Sequence, residues 1–384
     1  MAGRPVEAVT TVSPAELAAM DRALELAALG PAHGPNPQVG CVLLGREGQR
    51  LAEGRHDGAG TPHAEATAVA TARSHGVDLT GATAVVSLEP CSHTGRTGPC
   101  TDALLDAGVS RVLFAVDDPN PDAAGGADRL RAADVQVVGG VRRDEGEALL
   151  RVWLHAVRTG RPFVTVKLAS TLDGRVAAAD GSSRWITSPA SRAHAHQVRA
   201  TVDAIAIGTG TALADDPTLS ARTPAGEPAA HQPLRVVVGR RDVPDAARLR
   251  GPGGELVLLR THDVVEVLDQ LTARQVRHLL LEGGPRLVAA FLRAGVVDEV
   301  HAYVAPVLLG SGPSAVGDLG IGSIADAVRL ETTQVHQLGP DVLVVAAPTA
   351  RATTPAEAAP PRIPAPPHRL GSVGSDRSTT HEEI

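Results

Sequence analysis

Aromatic side chains are nearly missing from this sequence, which has three Phe, two Trp and one Tyr in 384 residues. Single-strand nucleic-acid binders need aromatic platforms and a basic groove, and a formal net charge of −7 gives no general attraction for phosphate polymers. Nucleic acid is not an expected partner. No apolar run reaches the ~18 residues of a membrane span, and no charged-then-apolar leader opens the chain. The three cysteines, Cys41, Cys91 and Cys100, are too few and too unevenly placed for a disulfide framework. These absences predict a cytoplasmic protein with no membrane partner, and they leave a homo-oligomer open.

Two further residue types are scarce in a more informative way. Lys167 is the one lysine among 36 Lys and Arg, and Asn36 and Asn120, each set between two prolines, are the only asparagines. A chain that has almost lost these types retains them chiefly where a substitute fails, so all three are site candidates. Ordinary roles stand beside that reading: a strand lysine can snorkel to the surface, and Asn suits turns.

What is present describes a globular protein: 43% hydrophobic and 21% charged residues, over a length that suggests two domains. Ser13-Pro14-Ala15-Glu16 reads as a capping box that opens a helix. Strands are expected over 39–44, 83–88, 111–116 and 135–138, with helices over 63–76 and 99–108, an alternation that implies an α/β sheet. Thr159-Gly160-Arg161-Pro162 is the best boundary. It follows a helix with Leu150, Trp153, Leu154 and Val157 on one side. A second series of strands is expected at 163–168, 204–207, 234–238, 256–259, 278–281, 300–304 and 342–345. The Pro- and Ala-rich 223–233 reads as a surface loop, and 348–384 as a disordered tail.

His63-Ala64-Glu65, Glu89-Pro90-Cys91 and Cys100 supply one imidazole, two thiols and a carboxylate. Residue types and order match the zinc-deaminase signature, although the cysteine spacing is C-x8-C in place of C-x-x-C. Three protein ligands leave a fourth tetrahedral position of Zn²⁺ for water, whose pKa then falls toward neutrality. Glu65 stands where a proton shuttle is needed. The alternatives are a structural zinc site, closed by four ligands, or reduced buried cysteines beside an unrelated histidine. Cys41, inside an apolar strand, reads as a core residue.

These motifs, with Ser92-His93, Gly95-Arg96-Thr97, Pro99, Asp118-Pro119-Asn120-Pro121, Pro35-Asn36-Pro37 and Gly54-Arg55-His56, resemble the deaminase half of the bifunctional riboflavin-biosynthesis deaminase–reductases. The resemblance implies a cytidine-deaminase-like α/β/α domain acting on a diaminopyrimidinone that carries a ribosylamino 5′-phosphate. It assigns zinc to His63, Cys91 and Cys100, phosphate to His93 and Arg96, and the base and ribose pocket to Asn36, His56 and Asn120. This chain departs from the family pattern at Gly98, usually proline, and at Gly125-Gly126-Ala127-Asp128, where a glycine–arginine–glycine stretch is usual.

No strand-linked G-x-G-x-x-G occurs in the second half, so a standard dinucleotide fingerprint is unsupported. Glu282-Gly283-Gly284 lies between an expected strand and helix, where backbone amides suit a pyrophosphate; a plain turn reads equally well. Lys167-Leu168-Ala169-Ser170, Leu172-Asp173-Gly174-Arg175, Trp185-Ile186-Thr187 and Asp215-Asp216-Pro217 resemble the reductase half of the same family, whose fold is like dihydrofolate reductase. The resemblance implies contacts to NADPH from Ala169, Trp185, Thr211 and Asp215, with Gly283 and Gly284 beside them. It implies substrate contacts from Ser183, Arg199, Leu219, Arg222 and Glu282. Gly239-Arg240 replaces an acidic residue and serine, which leaves the 2′-phosphate contact open.

The reading is therefore an α/β enzyme with a deaminase domain over 13–158 and a reductase domain over 161–347, small-molecule substrates, and Zn²⁺ and NADPH as cofactors. Glu65 and Lys167 are its catalytic candidates. A nucleic-acid deaminase and a zinc-stabilised binding module remain as alternatives, as does activity in only one half.

Overall fold

Glu16 N donates to Ser13 Oγ at 3.2 Å and Ser13 N donates to Glu16 Oε2 at 2.7 Å, so the capping box opens α1 (Pro14–Ala28) as its sequence dictates. The computed structural model describes residues 11–93, 98–121 and 123–349. After α1 come β1 (Gly40–Leu44), β2 (Arg50–Arg55), α2 (Ala64–Ser74), β3 (Thr83–Leu88), α3 (Cys100–Asp106), β4 (Arg111–Val116), α4 (Gly126–Ala132) and β5 (Gln136–Gly139). The five strands form one sheet in the order β2-β1-β3-β4-β5, with β1 antiparallel to β2 and β3 and the remaining pairs parallel. β1, β3 and β4 are almost continuously apolar because both faces of the sheet are covered, and Cys41 is buried among them as expected of a core residue.

α5 (Arg143–Thr159) buries Leu150, Trp153 and Leu154 and ends at Gly160, whose φ of +73° is the left-handed cap that glycine adopts without strain. Beyond it run β6 (Phe163–Thr171), α6 (Pro189–Arg199), β7 (Ala204–Gly208), α7 (Thr209–Asp215), β8 (Leu234–Val238), β9 (Leu256–Leu259), α8 (Val264–Ala273), β10 (His278–Leu281), α9 (Pro285–Arg293), β11 (Glu299–Ala305), β12 (Leu330–Leu338) and β13 (Asp341–Pro348). The second sheet has eight strands in the order β12-β13-β11-β6-β10-β7-β8-β9. Its centre is parallel and its β11-β13-β12 end antiparallel. The chain is thus of the α/β class.

Two strands were not expected from the pattern. β2, Arg-Leu-Ala-Glu-Gly-Arg, carries charges and has no apolar run, while all of β12 before Leu338 is exposed and is held chiefly by its pairing with β13. That pairing carries β13 on to Pro348, opposite Leu330, so the segment read as a tail from 348 begins inside a strand; 350–384 lie outside the described residues. Among the described residues no helix is long and apolar enough to cross a membrane.

Candidate active sites

β2 crosses the start of α2 so closely that a Cβ at Gly54 would collide with the carbonyl oxygen of Ala64 and the nitrogen of Ala68. This approach sets the helix start: His63 is the N-cap of α2, and Glu65, in its first turn, is 3% exposed. Cys91 follows β3, and Cys100 is the first residue of α3. One ligand atom from each of His63, Cys91 and Cys100 lies within 4.8 Å of the other two. His63 Nδ1 is 3.2 Å from Cys100 Sγ and 3.6 Å from Cys91 Sγ, and Cys100 N donates to Cys91 Sγ at 3.5 Å. Contact between the two thiols draws the Cys91 thiol below the usual cysteine value and pushes Cys100 above it. Burial pushes Glu65 up to about 7, and the charge of Cys91 adds to it. One imidazole nitrogen and two sulfurs, converging without a fourth protein donor among the described residues, suit a zinc site that keeps a position open.

A cavity of about 670 Å³ opens on this cluster. Asn36, His56, His93 and Asn120, all singled out from sequence, line it; Arg96 lies outside the described residues. His56 Nδ1 donates to the carbonyl of Pro62 at 3.0 Å, so Nε2 accepts from the Asn36 amide at 2.9 Å. Burial holds His56 below the usual histidine value and keeps that tautomer neutral. Sequence reasoning gave no role to Glu89 or Asp118. Glu89 accepts from the backbone N–H of Asp118 at 3.2 Å and of Ala127 at 2.8 Å, and Asp118 accepts from Asn120 N at 2.9 Å, which holds the loop that presents Asn120. Burial pushes Asp118 up to about 6. Gly126 packs on the Pro90 carbonyl with no room for a Cβ, which accounts for glycine at that departure from the family pattern.

A second cavity of about 670 Å³ lies on the eight-stranded sheet. Ala169, Trp185, Thr211 and Asp215, read as cofactor contacts, line it. So do Lys167 and the substrate candidates Ser183, Arg199, Leu219, Arg222 and Glu282. Gly283 and Gly284 are not in its lining, nor is Arg240; Gly284 turns toward Thr211, whose Oγ1 would stand 2.8 Å from an added Cβ. Arg199 grips Glu282 with Nε and Nη2 at 2.6 and 2.7 Å, and Lys167 Nζ is 3.9 Å from the same carboxylate. Burial alone would raise Glu282, but Arg199 and Lys167 bring it down to about 2. Burial lowers Lys167, and its side chain retains 21% exposure, toward the cavity. Tyr303, the chain's one tyrosine, was missed: its ring lies 5.8 Å from Lys167 Nζ and its hydroxyl 2.7 Å from His194 Nδ1. Its rarity was an available signal.

Residues 14–116 match the family described as the cytidine and deoxycytidylate deaminase zinc-binding region, and residues 162–344 match the RibD C-terminal domain. The riboflavin biosynthesis protein RibD of Mycobacterium tuberculosis is 49% identical over 311 residues, which cover 81% of this chain and 90% of that protein. The structure of RibD from Acinetobacter baumannii superposes with a TM-score of 0.80 at 37% identity, covering 88% of this chain and 99% of the other. A Thermotoga maritima diaminohydroxyphosphoribosylaminopyrimidine deaminase/5-amino-6-(5-phosphoribosylamino)uracil reductase gives 0.79 at 32% identity, covering 87% and 99%.

Proposed function

The chain belongs to the family of the riboflavin biosynthesis protein RibD, and from that premise we propose how its two cavities divide the work. It is a bifunctional deaminase and reductase of riboflavin biosynthesis, with Zn²⁺ and NADPH as cofactors. The first substrate is 2,5-diamino-6-ribosylamino-4(3H)-pyrimidinone 5′-phosphate, which is hydrolytically deaminated; NADPH then reduces the ribosyl side chain to ribityl.

In the deaminase cavity His63, Cys91 and Cys100 hold the metal, which supplies Lewis acidity and brings a water within reach of deprotonation near neutral pH. Glu65, in the first turn beside His63, takes a proton from the attacking water and returns protons to the ring nitrogen and the amine, so that ammonia leaves as oxygen enters. Asn36, oriented by His56, and Asn120, held through Asp118, read the donor and acceptor edges of the pyrimidinone. His93 and Arg96 take the phosphate.

In the reductase cavity NADPH supplies hydride. Ala169, Trp185, Thr211 and Asp215 bind it, with Gly283 and Gly284 shaping the turn beside Thr211. Ser183, Arg199, Leu219, Arg222 and Glu282 bind the substrate. Lys167, presented by the Arg199–Glu282 pair, delivers a proton to the ribose ring oxygen as its bond to C1′ breaks and C1′ gains hydride, which leaves a ribityl chain. We place the deaminase domain at 13–158 and the reductase domain at 161–347. Cytoplasmic location and the absence of a nucleic-acid partner belong to the same reading, supported by a net charge of −7 and unpaired cysteines, and the reading leaves a homo-oligomer open.

The observation that carries the reading is the convergence of His63, Cys91 and Cys100 beside a buried Glu65 in a cavity that also holds both asparagines of the chain. Incubating the protein with the diaminopyrimidinone phosphate tests it. Without NADPH the product should have exchanged an amino group for oxygen, and with NADPH it should carry two further hydrogens; recovery of unchanged substrate in both cases would refute the assignment.

A further inference from the structure

One wall of the deaminase cavity comes from the other sheet. Gln275 and Arg277 immediately precede β10, yet both line the cavity of Asn36, His56 and Glu65. The seam is held at two consecutive residues of the Asn36 loop, His33 and Gly34. Asp203, just before β7, accepts from the backbone N–H of Arg277 at 2.7 Å and of His278 at 2.8 Å, while its other oxygen accepts from Gly34 N. His33 stacks on His231 with ring centroids 3.5 Å apart, and within the deaminase half Trp153 Nε1 donates to the Pro35 carbonyl at 3.2 Å, which holds the same loop from its own side. Arg277 is therefore fixed at its backbone against the loop that carries Asn36.

Its side chain is less well served. Arg277 Nε is buried and has no hydrogen-bond partner among the described residues; the same holds for His93 Nδ1 in this cavity. Buried donors without acceptors are rare in folded proteins, and a ligand that brings acceptor oxygens relieves them. Among the described residues Arg277 is the one Arg or Lys that lines the cavity. The pyrimidinone offers neutral edges that suit the two asparagines, whereas the phosphate of the substrate offers charged acceptors matched to a guanidinium.

We propose that Arg277, supplied by the reductase sheet, binds the 5′-phosphate of the deaminase substrate and makes that half selective for the phosphorylated compound. The proposal rests on the deaminase reading above. It makes the first reaction depend on the second half of the chain for a contact, while leaving the metal and Glu65 untouched.

The test compares the full-length protein with Arg277→Ala and Arg277→Lys, measuring ammonia release from the 5′-phosphorylated diaminopyrimidinone and from its dephosphorylated riboside. On the phosphorylated compound kcat/KM should fall by about 10- to 100-fold in Arg277→Ala, mainly through KM, the usual worth of a hydrogen bond to a charged group. On the riboside it should not change. Arg277→Lys should recover part of the loss, because it retains the charge but not the fork. Zinc content and NADPH-dependent reduction of the deaminated phosphate should hold in both variants, as checks on folding; if Arg277→Ala fails those checks, Arg277→Lys and Arg277→Gln carry the same comparison. Equal losses on both compounds, or no loss on either, would overturn the proposal. Absence of ammonia release from the unaltered enzyme would instead overturn the deaminase reading, and the proposal with it.

Discussion

Glu65 owes its place to a helix start. The N-cap position turns His63 toward the two cysteines, and the first turn of α2 then puts the carboxyl of Glu65 in the same buried space. Glu65→Gln retains size and hydrogen-bonding shape but cannot accept the proton. Ammonia release should therefore fall by roughly 10²- to 10⁴-fold, with zinc content by elemental analysis unchanged; full activity would remove Glu65 from its role. Lys167 makes the complementary case. Its compact ammonium fits between Glu282 and the Tyr303 ring, and a planar guanidinium would misplace its donors. A misplacement of about 1 Å costs on the order of 10²-fold. Lys167→Arg should accordingly lose NADPH oxidation, followed by absorbance, while ammonia release from the first substrate continues. Near-normal reduction by this variant would show that charge alone suffices there.

Strands position the reductase side chains, and β6 is the central case. It pairs in parallel with β10 on one side and β11 on the other, which puts Lys167 opposite His301 and Ala169 opposite Tyr303. Glu282 follows the end of β10 and reaches the same cavity. At the start of β10, His278 is buried, with Nε2 2.8 Å from Thr165 Oγ1 of β6. Arg151 of α5 and Glu299 and His301 of β11 also face it. Burial, with Arg151 adding, holds its pKa down to about 3, against an ordinary 6.5. The unfolded chain therefore takes up a proton that the folded chain refuses, and the stability present above about pH 6.5 is lost as the pH falls from there toward about 3. Melting temperatures across that window should decline less steeply in His278→Gln than in the unaltered protein. Identical slopes would assign the acid sensitivity to other groups.

Across the whole molecule the two cavities belong to different sheets, and the metal ligands sit in only one of them. Stripping zinc with a chelator should abolish ammonia release while NADPH oxidation with the deaminated phosphate continues, both followed in one sample. Loss of both activities on chelation would show that the metal also supports the reductase fold. The halves meet along α5, where Arg151 pairs with Glu299 at 2.9 Å, and at Asp203, His231 and Arg277, whose contacts hold the Asn36 loop rather than the metal.

The amino-acid sequence by itself pointed to His63, Cys91 and Cys100 as one cluster with Glu65 beside it, to the strands of both sheets that read as apolar runs, and to Lys167, which the fold places in a cavity. Each is a local signal: the residue types that zinc chemistry demands, an i+2 spacing at a helix start, continuous burial along a strand, or scarcity. Tertiary structure alone decided the rest. β2 lacks an apolar run because its buried face is made of the small residues Ala52 and Gly54 packed on α2, and β12 because its pairing with β13, not a buried face of its own, holds most of it in place. Tyr303, Asp118 and Arg277 reach their cavities through sheet order and crossing loops, which bring together side chains that no single stretch of chain relates. Arg277 lies 241 residues from Asn36 and reaches the same cavity because one carboxylate, Asp203, accepts backbone hydrogen bonds from both sides of the seam.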